Sequence, residues 1–319
     1  MMESEPASPL PTLPRQSPPA NDGMPLGYLY AAAGAALFST KAIIIKLAYA
    51  EAISTETLLA LRMGLALPIY LAIGALALRD RFRRDGDLPP TRLVLQSALI
   101  GALGYWLASY ADFLGLQYIT AQFERLILFT YPLFVVLLGA MFFRQDVRAH
   151  TLLAFAVSYF GLALIFTENF SLEGEDVAVG SVFVLAAAVA FALYQLLAKE
   201  AIAKTGPRLF TCIAMLGATL AAFVQFFVME EAAAILVGPR LFLYGILIAI
   251  FATVLPSFFL SEALHRISAQ ATGVIGTLSP LVTIILAALI LGESITLVGI
   301  TGTALVLCGV GWFTLTKKS

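Results

Sequence analysis

Five ionisable side chains fall inside long apolar stretches: Lys41, Arg62, Asp112, Glu124 and Arg125. In a bilayer centre each would cost about 2.5 to 3.5 kcal/mol on insertion scales, so each needs a partner, an aqueous cavity or a route to the surface. Three cations against two carboxylates leave a positive excess, which suits a small molecule bearing a carboxylate, an amino acid for example. Tyr105, Ser109 and Asp112 are spaced i, i+4, i+7 and so share one helical face. At an offset of 148 residues they meet Thr253, Ser257 and Leu260, a stripe that keeps hydroxyls and drops the acid. Glu124 and Arg125 correspond in the same way to Thr272 and Gly273, and Lys41 corresponds to Tyr194.

One wall is therefore charged and the other neutral and hydroxyl-bearing, an arrangement for a molecule with a charged end and an uncharged remainder. The candidate binding residues are Lys41, Arg62, Tyr105, Ser109, Asp112, Glu124, Arg125, Tyr194, Thr253 and Ser257. Two roles stay open for the charges. They contact the small molecule, or they form internal ion pairs, with Asp112 and Arg125 at a similar depth that permits pairing. Asp112 and Glu124 are also candidates for binding a proton. Trp106, Tyr110 and Tyr131 stand beside these positions and offer ring faces for stacking or packing.

The elements that must position these groups are apolar helices. The chain of 319 residues is 60% hydrophobic and 12% charged, far from the quarter or so of charged residues in a water-soluble domain. A net charge of −1 gives no basic excess for nucleic acid. A bilayer core about 30 Å thick takes about 20 helical residues per crossing. Ten stretches qualify, near 26–49, 53–78, 93–116, 119–143, 149–167, 177–198, 208–229, 241–264, 268–291 and 294–315. Residues 1–25 are Pro-rich, lack the basic start and apolar core of a signal peptide, and read as a disordered tail. With ten crossings, fourteen Lys and Arg residues fall on one side and Arg240 alone on the other, which makes both termini cytoplasmic.

The same offset of 148 aligns spans 3 to 5 with spans 8 to 10 without a gap, with ten identities over residues 119–166. Gln122 and Pro132 meet Gln270 and Pro280; with an offset of 153, Phe38 and Lys46 of span 1 meet Phe191 and Lys199 of span 6. Each half has five spans, an odd number, so the second half sits inverted relative to the first. Inverted repeats let two similar bundles open a shared midplane site to one side and then the other. Pro132 and Pro280, matched inside their spans, are hinge candidates. Lys46, Lys199 and Glu262 lie near span ends and can snorkel.

The repeated passages "GLQYITAQFERLILFTYPLFVVLLGAMFF" and "ALHRISAQATGVIGTLSPLVTIILAALILGE", with the two five-span halves, resemble tandem EamA domains of the drug/metabolite transporter superfamily. The resemblance covers residues 26–315, with one repeat at 26–167 and the other at 177–315. It implies a carrier with a central cavity lined mainly by spans 1, 3, 4, 6, 8 and 9 and no nucleotide-driven motor. Members often carry Gly-Glu after both the fourth and ninth spans; here Gly292-Glu293 is present but the other position reads Arg144-Gln145.

The fold class expected is thus an all-α polytopic membrane protein of ten transmembrane helices in two inverted five-helix repeats. Its partners are a small-molecule substrate and the lipid bilayer, as monomer or homodimer. A membrane-embedded enzyme is the alternative, but HExxH, DDxxD and GxSxG patterns are all missing, as is a GxxxxGK[ST] phosphate loop. A channel or sensor scaffold would leave the inverted duplication without a purpose. No cofactor or metal is called for, because Cys212 and Cys308 sit in apolar runs and His150 and His265 fall between spans.

Overall fold

The computed structural model describes residues 24–143, 149–267, 275–276 and 278–316, and every regular element among them is helical. The Pro-rich stretch expected to be disordered lies almost wholly outside these residues. The helices are α1 (Met24–Tyr49), α2 (Thr55–Asp85), α3 (Thr91–Tyr118), α4 in two pieces (Ala121–Leu128 and Tyr131–Phe143) and α5 (Ala149–Glu173). The second half supplies α6 (Asp176–Thr205), α7 (Pro207–Met229), α8 (239–266), α9 (Leu278–Leu291) and α10 (Leu297–Thr316). Eight of these are long and apolar enough to cross a membrane, and α9 and α10 are shorter apolar helices over the stretches searched. The helical backbone of α10 has 20 residues, the length of one crossing. The expected start of α9, at 268–274, lies outside the described residues.

Without water in the hydrocarbon, backbone polar groups must be satisfied within the chain, which is why apolar runs of this length become helices. Local signals set their ends. Ser54 caps α2 by accepting from the Thr57 N–H, and Gly86, at φ 72°, closes it in the left-handed region that a Cβ disfavours. Pro207 and Pro239 occupy first turns, where no backbone donor is needed. The α2 helix runs on to Asp85, so Arg79, Arg81, Arg83 and Arg84 continue the helix instead of forming a loop after residue 78. Likewise Lys199 and Lys204 belong to α6. Large apolar side chains point outward along the spans, as at Leu220, Phe227 and Leu289, which suits a lipid surround.

The packing repeats its geometry. α1 lies along α8 as α6 lies along α3, α2 crosses α7, and α5 crosses α10. Each pair joins one helix from each half, so the halves interleave. Small residues let the backbones approach. A Cβ at Gly161 would press on the Gly302 carbonyl, and one at Gly309 would press on Ala154, the equivalent contact at an offset of 148. α3 contains a π turn at Ala102–Leu107 and α8 contains one at Ile250–Val254, again 148 residues apart at their starts. Both helices end on an extended isoleucine, Ile119 at φ −126°, ψ 163° and Ile267 at φ −128°, ψ 164°. Ile119 packs against Gly180 and Ile267 against Gly27.

Candidate functional site

The five intramembrane charges are buried, none more than 5% exposed. Four converge where α1, α3 and the first piece of α4 meet. Lys41 Nζ bonds Asp112 Oδ2 at 2.5 Å and stands 3.9 Å from Glu124 Oε1. Arg125 does not pair with Asp112, contrary to the expectation from depth. Its Nε is 3.9 Å from Glu124 Oε2 and its NH2 group donates to the Phe38 carbonyl at 3.1 Å. The rotation of α1 decides this: it turns Lys41 onto Asp112 and lays the Phe38 ring under both cations, 5.5 Å from Lys41 Nζ and 5.3 Å from Arg125 Cζ.

Arg62 stands apart on α2, a helix missing from the set implied to line the cavity. Its Nε donates to Thr253 Oγ1 at 2.9 Å, across the two halves, and its guanidinium lies over the Phe113 ring. Its NH1 has no hydrogen-bond partner among the described residues. Thr253 sits in the π turn of α8 and donates to the Ile248 carbonyl five residues back. Tyr105 holds the equivalent place in the π turn of α3 and accepts from Tyr194 OH at 3.1 Å. π turns inserted in α-helices often mark functional sites. Here the turn breaks the expected stripe: Tyr105 faces α6 whereas Asp112, beyond it, faces α1. Ser109 between them takes part in none of the described hydrogen bonds.

Tyr194 packs with Tyr105, Phe191 and Phe210, and Tyr131 meets Phe191 edge-on. Trp106 donates to Gln225 and Tyr110 to Glu56, both away from the charges. Ser257 bonds its own helix at Val254 and lies 3.4 Å from Tyr70 OH. It is the one candidate residue lining either of two described pockets, a small one of 60 Å³ shared with Tyr70, Arg208 and Cys212. The other, of 240 Å³, is lined by Lys46, Tyr49, Ile53, Leu116 and Gln117. The charged cluster borders neither, and all four of its side chains are buried.

α4 is interrupted at Phe129–Thr130, so that Pro132 is the second residue of its second piece, with the Thr130 hydroxyl turned back onto the Ile127 carbonyl. Pro280 is buried near the start of the described part of α9. Thr272, Gly273 and Gln270, and the side chains of Leu260, Glu262, His150 and His265, lie outside what is described. Exposed Lys199 suits a snorkelling residue, while Lys46 reaches the larger pocket.

Sequence reasoning missed the part played by five residues. Ser39 bonds Ser279 Oγ at 2.9 Å and Thr283 donates to the Ser39 carbonyl, joining α1 to α9 in the core. Tyr49 OH donates to the Phe113 carbonyl. Glu293 accepts from the backbone N–H groups of Ala121 and Gln122 at 2.7 and 3.1 Å, so a carboxylate from the second half caps α4 of the first. Gln145 was the visible signal: the two Gly-Glu positions differ, and the retained acid has a helix start to serve.

The model of the EamA-like transporter family matches residues 25–167 and 178–315. An uncharacterized transporter, YcbK, of Bacillus subtilis is 28% identical over 298 residues, covering 91% of each chain. Uncharacterized transporters of Synechocystis and Clostridium kluyveri are 22% and 23% identical over 82% and 76% of this chain, each matched over 80% of its own length. A solved crystal structure shares the fold at a TM-score of 0.61 and 17% identity, over 91% of this chain and 97% of that one. Helical throughout its regular elements, apolar and matched in both halves, the chain is a multi-pass membrane protein that belongs to the EamA-like transporter family, within the drug/metabolite transporter superfamily.

Proposed function

We propose that this protein is a secondary transporter that moves a small polar metabolite bearing a carboxylate, such as an amino acid, across the cytoplasmic membrane by alternating access. The reading has ten crossings, with α9 and α10 spanning, and both termini in the cytoplasm. The observation that carries it is Arg62: a fully buried guanidinium bridging the halves through Thr253, with NH1 left open among the described residues. A buried cation with unused donors is a ready receptor for a carboxylate. Tyr105, Tyr194, Thr253 and Ser257 supply the hydroxyl-bearing wall. Lys41, Asp112, Glu124 and Arg125 supply the charged wall. The break before Pro132, matched in sequence by Pro280, supports bending of α4 and α9 as the bundles rock.

A thermal-shift screen of the detergent-solubilised protein against a metabolite panel tests this, because a ligand that binds the folded state raises its melting temperature. Stabilisation by amino acids or related carboxylates, lost in Arg62→Gln, is the expected result. Stabilisation by cationic compounds alone overturns the carboxylate assignment.

A further inference from the structure

Glu124 is completely buried, and among the described residues neither of its carboxylate oxygens has a hydrogen-bond partner. Lys41 and Arg125 stand 3.9 Å away on either side, beyond hydrogen-bonding distance. Asp112 commits Oδ2 to Lys41, and its Oδ1 is likewise without a partner. The Asp112 and Glu124 carboxyl groups flank one ammonium, Lys41 Nζ, at 2.5 and 3.9 Å. Two ionised carboxylates can only accept, so on either side of one ammonium they repel and leave three buried oxygens unsatisfied. Two carboxylates sharing a site cannot both ionise freely.

We propose that Asp112 and Glu124 form a carboxyl–carboxylate pair that binds one exchangeable proton, carried on Glu124 and donated to Asp112 Oδ1. Lys41 selects the carrier: its 2.5 Å bond stabilises Asp112 as the anion, which leaves Glu124 to hold the proton. The charged groups facing Glu124 are Lys41 from α1, Asp112 from α3 and Arg125 beside it. α6 carries charges only toward its ends and the described part of α9 carries none; the middles of α5 and α6 offer only the phenols of Tyr159 and Tyr194.

Release is a simple transfer. Glu124 gives H⁺ to water and becomes a carboxylate, and Lys41 can then swing from Asp112 toward Glu124 Oε1, already 3.9 Å away. Water reaches Glu124 when the bundle opens toward the 240 Å³ pocket, whose lining residue Leu116 is one helical turn from Asp112. Two cations and two carboxylates balance when all are ionised; the proton leaves one cation in excess, which draws an anion into the site. That last step rests on the transport reading, whereas the proton site does not.

Infrared difference spectroscopy of the full chain reconstituted in lipid, between acid and alkaline buffer, tests the site without any substrate. The wild type should show a protonated-carboxyl band that titrates. Glu124→Gln should lose it, and Asp112→Asn should move its titration to lower pH, because without the anion beside it Glu124 ionises against Lys41 and Arg125. A band of unchanged amplitude in Glu124→Gln overturns the proposal. The amide of Glu124→Gln copies the protonated acid and can donate to Asp112, so this variant should melt close to the wild type in acid buffer, whereas Glu124→Ala should not. A Glu124→Gln protein that fails to fold also overturns it. A retained band in a protein that transports nothing would sink the transport reading and leave the proton site standing.

Discussion

α3 and α8 carry π turns that start 148 residues apart, at Ala102 and Ile250, and end on isoleucines of nearly the same backbone geometry. Their chemistry diverges. α3 brings Asp112 into a buried cluster with Lys41, Glu124 and Arg125, whereas α8 offers Thr253 as a hydroxyl partner for Arg62. Both backbones run through close crossings that leave no room for added bulk, at Gly115 of α3 against Val184 and at Gly245 of α8 against Leu61. Side chains facing the centre escaped that constraint, since the two walls meet different neighbours. Backbone symmetry thus coexists with chemical asymmetry, one wall charged and the other bearing hydroxyls.

The sharpest break of this comparison is Lys41→Met set against Tyr194→Phe, two changes at repeat-equivalent positions. Lys41→Met strands Asp112 without its cation and should cost about 3 to 5 kcal/mol of stability, part of which Asp112→Asn added to it restores. Tyr194→Phe removes one hydroxyl bond and should cost about 0.5 to 1.5 kcal/mol. Unfolding of the protein in bicelles by added denaturing detergent measures both, and equal costs would dissolve the asymmetry.

Thr253→Ala probes the neutral wall. It deprives Arg62 of its acceptor and should cost about 1.5 to 3 kcal/mol, with Thr253→Ser retaining most of the stability. The same unfolding assay separates them, and an Ala variant as stable as the Ser variant would mean that Arg62 finds its acceptor elsewhere.

Glu293→Ala tests the tie between halves. Losing two backbone donors' acceptor at the start of α4 should cost about 0.5 to 2 kcal/mol and raise amide hydrogen exchange at Ala121 and Gln122. Unchanged exchange there would remove Glu293 as a cap. Tyr105→Phe breaks the same hydrogen bond as Tyr194→Phe and should cost as little, about 0.5 to 1.5 kcal/mol, because the Tyr105–Tyr194 ring contact survives the loss of the hydroxyl.

Much of the fold was legible because bilayer insertion is governed by one-dimensional quantities. Run length and hydropathy suffice to place most of the helices within a few residues. Their ends were less legible: α2 and α6 continue past their apolar runs as arginine- and lysine-bearing helix, since a hydrogen-bonded backbone is favourable at the interface too. The site was legible as a set of residues and illegible as a set of pairs. Depth made Asp112 and Arg125 plausible partners, but depth says nothing about rotation, and α1 presents Lys41 instead. Nor could periodicity reveal the π turns, which shift the register between Tyr105 and Asp112.

By itself the chain's order of residues determined that it is an apolar, duplicated, all-helical membrane protein of the EamA-like family with five charges in its spans, because composition and repeat offset survive any rotation of the helices. Only the tertiary structure decided that four of those charges form one buried cluster, that Arg62 reaches into the other half, and that Glu293 caps α4. Those contacts depend on how helices are turned and crossed, which is settled by the summed packing of small residues across the whole interface and by no local pattern.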